Sequence, residues 1–147
     1  MTYDLETRFG FLIAEVGRLC GKRYDDLAKA SLELTRAQCR VIVYLAHYGG
    51  MNQVRLAELL DVAPISAGRL LERLEESGWV ARTANPTDRR ELQVSLTPKA
   101  EGVLAATRRV GDEVQVEALA GFTPEEAKQF GEMLQRVRAN LGPLVER

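Results

Sequence analysis

The stretch NQVRLAELLDVAPISAGRLLERLEESGWVARTANPTDRRELQVSLT (residues 52–97) runs through two short helical patterns and then changes period. Asn52 suits the N-cap of a helix whose inner face is Leu56, Ala57 and Leu60. Asp61-Val62-Ala63 breaks that helix, and Pro64 suits the first position of another, where its missing N–H costs nothing. The second helix reaches about Glu76 and stops near Gly78. On a wheel of about 100° per residue, Ala67, Leu71, Leu74 and Gly78 share an inner arc, and Ser66, Arg69 and Arg73 a separate outward one. From Trp79 to Thr83 the chain is short and β-prone. Leu92, Val94 and Leu96 then alternate with Gln93 and Ser95, as a half-buried strand should. The polar segment Ala84–Glu91 between them predicts a β-hairpin with a charged tip.

Two helices with a tight break, followed directly by a hairpin, predict a winged helix-turn-helix. Upstream, Thr35-Arg36-Ala37-Gln38 is a capping box opening a helix with Ala37, Val41, Ile42 and Leu45, which stops at Gly49-Gly50. Earlier still, Leu5, Phe9, Leu12, Val16 and Leu19 step by four, three, four and three, the seam of an amphipathic helix. Gly10, Gly17 and Gly21 each weaken it by up to ~1 kcal/mol relative to Ala. Downstream, Thr97-Pro98 starts a helix with Val103, Thr107, Val110 and Val114, and Gly121-Phe122 ends it. Thr123-Pro124-Glu125-Glu126 is a second capping box, opening a last helix with Ala127, Phe130, Leu134, Val137, Leu141 and Leu144 at heptad-like spacing. The expected fold class is mainly α with a small β-hairpin wing. Its winged helix-turn-helix, residues 34–97, is flanked by dimerisation helices in 1–33 and 98–147. A chain of this length has few partners for such seams, so a homodimer is expected.

Composition excludes several functions. The 147 residues fit one compact subunit, and 20 basic against 21 acidic side chains leave a formal charge of −1. No apolar run approaches the roughly 18 residues a spanning helix needs, and Asp4 and Glu6 replace a basic start, so a soluble cytoplasmic protein with no membrane role is expected. Two cysteines, Cys20 and Cys39, make neither a disulfide framework nor a zinc site, and a single His offers little for a triad. With no Gly-rich phosphate loop and no paired His and Cys, neither catalytic residues, metal nor cofactor is expected.

Residues Asn52–Lys99 hold seven basic and seven acidic side chains, so binding to DNA would depend on where the charges sit. Ser66, Arg69 and Arg73, with Pro64 and Ile65 at the helix start, suit a helix laid in the major groove, where Arg addresses guanine edges or phosphates. The same spacing also describes a solvated face whose arginines pair with Glu72, Glu75 and Glu76. At the hairpin tip, Arg89 and Arg90 suit a narrow minor groove. Asp88, two residues before Arg90, is expected to project to the same side and hold its guanidinium. A solvated charged turn is the plainer reading.

Leu34-Thr35, Gln38, Leu56-Ala57-Glu58-Leu59-Leu60, Arg69-Leu70-Leu71-Glu72-Arg73-Leu74-Glu75, Gly78-Trp79-Val80, Arg82, Asn85-Pro86-Thr87-Asp88-Arg89-Arg90 and Val94-Ser95-Leu96-Thr97 together resemble the MarR family of winged-helix transcription regulators. The resemblance covers nearly the whole chain. It implies an obligate homodimer joined through its terminal helices, whose second motif helices enter successive major grooves of double-stranded DNA at a pseudo-palindromic operator. By position it makes Ser66, Arg69 and Arg73 groove contacts, Arg90 the minor-groove residue positioned by Asp88, and Arg89 a backbone contact. The segment Pro64-Ile65-Ser66-Ala67-Gly68 departs from the Thr-Val or Ser-Leu pairing common in the family.

Many members of the family release DNA when a small aromatic acid binds, and others when a cysteine is oxidised. An anionic aromatic effector wants an arginine and an aromatic wall, and Arg18, Arg23, Tyr24, Tyr44 and His47 are the candidates. Cys20 or Cys39 would serve a redox-responsive regulator; buried structural cysteine is the plainer reading of both. A winged helix used only for protein contacts is the other alternative, and it predicts an apolar outer face on the second helix.

Overall fold

The computed structural model describes residues 4–145, so the outermost ends of the flanking segments lie outside the described residues. Six helices and a three-stranded sheet follow in the order α1 (Phe9–Ala28), α2 (Arg36–Tyr48), β1 (Met51–Asn52), α3 (Gln53–Leu60), α4 (Pro64–Glu76), β2 (Val80–Ala84), β3 (Leu92–Leu96), α5 (Ala100–Ala118) and α6 (Pro124–Val145). The chain divides into two compact units, Met1–Val114 and Gln115–Arg147.

Most boundaries follow from local chemistry. At α2, Gln38 N–H donates to Thr35 Oγ1 at 3.2 Å and Thr35 N–H donates to Gln38 Oε1 at 2.9 Å, the reciprocal capping box. Gly49, at φ 81°, ends that helix. Asn52 Oδ1 caps α3 by accepting from Arg55 N–H at 2.7 Å. Asp61 closes α3 in the left-handed region at φ 55°, a conformation that Asp tolerates better than most residues. Pro64 is the first residue of α4. At the other end, Gly78 N–H donates to Glu75 O and Trp79 N–H to Leu74 O, both at 2.9 Å, forming a Schellman motif around Gly78 at φ 79°. Gly78 therefore lies beyond the helix as its stop, outside the inner arc assigned to it.

The core of the first unit contains Val41, Ile42, Leu56, Leu71, Leu74, Val80 and Val94, all fully buried. These are the inward positions of α2, α3, α4 and two strands, so one cluster joins the helix-turn-helix to its wing. Ala37 is exposed, and Cys39 takes a buried place on α2 instead.

Strand order is β1-β3-β2, antiparallel throughout. The hairpin register pairs Val80 with Leu96, Arg82 with Val94 and Ala84 with Leu92. Only this hairpin is legible in the sequence. The two-residue β1, with Met51 opposite Val94, is too short to show a period and forms because β3 offers it a free edge. Helix α5 begins at Ala100, later than Thr97, because Thr97 is held by two bonds. Its N–H donates to Trp79 O at 3.1 Å and its hydroxyl to Gly78 O at 2.5 Å.

The seam of α1 is shorter than its spacing suggests: Leu5 lies before the helix, in a turn where the Asp4 carboxylate accepts from the Glu6 N–H and the Thr7 hydroxyl, and Phe9, Leu12, Val16 and Leu19 are 43–59% exposed and not packed within their unit. Helix α6, in the second unit, starts at a capping box in which Thr123 N–H donates to Glu126 Oε2 and Glu126 N–H to Thr123 Oγ1. It buries none of its described residues, and Phe130, Leu134, Leu141 and Leu144 remain exposed.

Candidate nucleic-acid interface

Helix α4 packs through Ala67, Leu71 and Leu74, and that packing turns the opposite side to solvent. Ser66, Arg69 and Arg73 lie on that exposed side, and Pro64 is exposed at the start of the helix. Among the described residues neither Arg69 nor Arg73 forms an ion pair. Glu75, one of the acids expected to pair with them, turns instead to β2, with Oε2 3.2 Å from Nε of the partly buried Arg82. The sheet thus supplies a partner that the helix sequence alone cannot reveal, and two cationic side chains stay available on α4.

The first turn of α4 is braced from α3. Gln53 Nε2 donates to Pro64 O at 3.2 Å, and a Cβ placed on Gly68 would stand 2.9 Å from the same nitrogen. Gly68 therefore makes room for this brace, at the cost of some helix propensity.

The wing is a hydrogen-bonded construction. At its base Asn85 N–H donates to Glu91 O at 2.9 Å, and Asn85 Nδ2 to Glu91 Oε2 at 2.8 Å. Thr87 donates to Asn85 Oδ1 from its amide at 3.0 Å and from its hydroxyl at 2.9 Å. At the tip Glu91 N–H donates to Asp88 O at 3.1 Å, closing a turn whose two central residues are the exposed Arg89 and Arg90. Asp88 Oδ1 accepts from the backbone N–H of Arg90 at 3.0 Å. The expectation of an extended segment with Asp88 gripping the Arg90 guanidinium is thus corrected. The carboxylate shapes the turn, as Asp does when its side chain bonds two residues on, and the guanidinium forms no ion pair among the described residues.

A separate cavity of about 360 Å³ opens within the first unit, lined from α1 by Cys20, Gly21 and Tyr24, from α2 by Arg36, Cys39, Arg40, Val43 and Tyr44, and from α5 by Thr107, Gly111 and Val114. Its walls are mostly apolar, and the polar groups are few. The Tyr24 and Thr107 hydroxyl oxygens are buried with no hydrogen-bond partner among the described residues. Burial pushes the Tyr24 phenol well above its ordinary pKa of 10, with the neighbouring Cys39 thiol acting in the same direction and the Thr107 hydroxyl against it. At the rim, Arg40 Nη2 donates to Tyr44 Oη at 3.1 Å, and its guanidinium lies 5.6 Å from that ring's centroid.

Of the five residues read as effector candidates, Tyr24 and Tyr44 line this cavity. His47 lines an adjoining crevice that shares Tyr24, Val43, Thr107 and Gly111 with it. Arg18 and Arg23 line neither, and Arg18 is bonded along its own helix to Glu15, Nε to Oε2 at 3.1 Å. The arginines that reach the cavity are Arg36 and Arg40, which the sequence reading missed. Thr107 had a signal: it is the one polar member of the Val103, Thr107, Val110, Val114 stripe and is only 4% exposed. Cys39 is buried, Cys20 is half-buried, and both face the cavity. No helix among the described residues is long and apolar enough to cross a membrane.

The MarR family profile matches residues 34–92. The HTH-type transcriptional regulator YybA of Bacillus subtilis is 32% identical over 133 residues, 88% of each chain. The apo form of Escherichia coli MarR superposes with a TM-score of 0.79 at 27% identity, covering 88% of this chain and 96% of that one. A mutant E. coli MarR complexed with operator DNA superposes with a TM-score of 0.72 at 27% identity, covering 87% and 91%. The fold, the helix-turn-helix with its wing and these similarities converge: the chain belongs to the MarR family of transcriptional regulators.

Proposed function

We propose that this chain is a cytoplasmic homodimeric repressor that inserts α4 of each subunit into the major groove of a pseudo-palindromic operator. The observation behind this reading is that the α4 and wing-tip arginines are exposed and left out of ion pairs among the described residues, although Glu72 and Glu76 share the outward face of α4. Ser66, Arg69 and Arg73 stand on one exposed face without ion pairs among the described residues, Arg89 and Arg90 occupy the wing tip, and Glu75 and Glu91 are engaged elsewhere. On this reading Ser66, Arg69 and Arg73 address bases or phosphates in the major groove, Pro64 stands at the start of that helix, and Arg90 enters the minor groove on a turn shaped by Asp88, with Arg89 against phosphate. The exposed seams of α1 and α6, within 1–33 and 98–147, are each covered by the second copy. A small aromatic acid occupies the cavity beside Tyr24 and Tyr44, where Arg36 and Arg40 supply positive charge and the Tyr24 and Thr107 hydroxyls are among the few polar groups. It lowers DNA affinity by population shift, binding better to dimers whose two α4 helices are wrongly spaced for the operator.

The test is a fluorescence-anisotropy titration against DNA from the gene's own upstream region, with random DNA as competitor and salicylate in a parallel series. Specific, saturable binding that weakens steeply between low and physiological salt is expected, with release by salicylate. Sequence-blind binding would overturn the operator reading, and indifference to salicylate would remove that effector.

A further inference from the structure

Helix α4 presents one large apolar side chain mostly to solvent. Ile65, its second residue, is 71% exposed, whereas Leu71 and Leu74 are fully buried and Leu70 is half-buried. Ile65 does not sit at the margin of the outward face. Ile65, Arg69, Glu72 and Glu76 step by four, three and four, so Ile65 lies one helical turn before Arg69 on the same stripe. Its backbone is fixed: the brace from Gln53 to Pro64 O holds the preceding residue, and the fully buried Ala67 anchors the turn from the other side. Its side chain is stiff as well, because branching at Cβ restricts χ1, so ordering it in a contact loses little rotamer freedom.

The first residues of a recognition helix are those that reach base edges. Among those edges in the major groove, all but one group are hydrogen-bond donors or acceptors. The exception is the C5-methyl of thymine. We propose that Ile65 is a specificity-determining residue that reads a thymine methyl group in each half of the operator. The inference rests on α4 being the helix that enters the groove. It differs from the arginine contacts in kind, since an aliphatic side chain neither holds phosphate nor addresses guanine.

Deoxyuridine differs from thymidine only by this methyl and pairs identically with adenine, so it isolates the contact. The full-length protein is titrated against its operator, and then against operators in which each thymine is replaced by deoxyuridine, symmetrically in both halves. One position is expected to weaken binding by about fourfold per half-site, the worth of one buried methyl. Ile65→Ala should bind the thymine operator more weakly and no longer distinguish it from the deoxyuridine operator at that position. Ile65→Val should keep part of the discrimination. The proposal is overturned if every deoxyuridine operator binds like its parent, or if Ile65→Ala loses as much on substitution as the unaltered protein. If the parent operator itself fails to outcompete random DNA, the groove-helix reading falls, and this inference falls with it.

Discussion

Asn52 and Glu91, 39 positions apart, are joined side chain to side chain: Asn52 Nδ2 donates to Glu91 Oε1, while Asn52 Oδ1 accepts from Arg55 N–H. The other carboxylate oxygen of Glu91 accepts from Asn85 Nδ2 at 2.8 Å. One carboxylate thus ties the N-cap of α3 to the base of the wing. Asn52→Ala removes both the cap and a charge-assisted bond, and should destabilise the fold by about 1–3 kcal/mol. Urea unfolding checks this. A change under ~0.5 kcal/mol would mean that the junction adds nothing.

The stop of α4 depends on Gly78 at φ 79°, where a side chain is disfavoured by about 1–2 kcal/mol. Gly78→Ala should lower stability by that amount, because the Schellman bonds to Glu75 O and Leu74 O require the left-handed turn. Thermal denaturation reads the loss. A variant as stable as the parent would show that the turn is not needed.

Arg90 occupies a central position of the wing-tip turn, and its side chain is exposed. Arg90→Ala should weaken operator binding by about 1–3 kcal/mol while sedimentation of the protein stays the same. Asp88→Asn should cost less, since an amide oxygen still accepts the Arg90 N–H. Unchanged affinity in Arg90→Ala would remove the wing from the DNA contact.

If the exposed seams are the dimer interface, a chain ending at Gly121 lacks all of α6 and should no longer dimerise. Analytical ultracentrifugation gives the answer. A dimer of undiminished strength from the shortened chain would place the interface elsewhere.

The raised pKa of Tyr24 makes a prediction at alkaline pH. In the unfolded chain the phenol ionises near 10, whereas in the fold it stays protonated well beyond that, because burial penalises the phenolate. The folded state therefore binds more protons than the unfolded state above pH 10, and stability must fall there as pH rises, with full stability retained below. Tyr24→Phe should flatten this alkaline loss relative to the parent without altering the profile from pH 6 to 9. Superimposable curves above pH 10 would mean that the phenol is not buried.

Local chemistry made the succession of elements legible. The caps at Thr35, Asn52 and Thr123, the proline at position 64 and the stop at Gly78 each act within a few residues, and the periods of the buried faces report directly on helix or strand. The exposed identity of Ser66, Arg69 and Arg73 followed from the inward placement of Ala67, Leu71 and Leu74. The reading was less complete wherever the partner lies far along the chain. That Glu75 engages Arg82 and leaves the α4 arginines free of ion pairs among the described residues depends on where β2 is laid. The pairing of β1 with β3, the junction of Asn52 with Glu91, and the approach of Arg36 over Gly21 likewise required the elements to be brought together. So did the cavity. Spacing on α1 or α2 names tyrosines and arginines, but only packing against α5 decides that Arg36 and Arg40 line it and Arg18 and Arg23 do not. A hydrogen bond within one turn is determined by the order of the residues; a bond or a cavity between elements is determined by the packing of their buried faces.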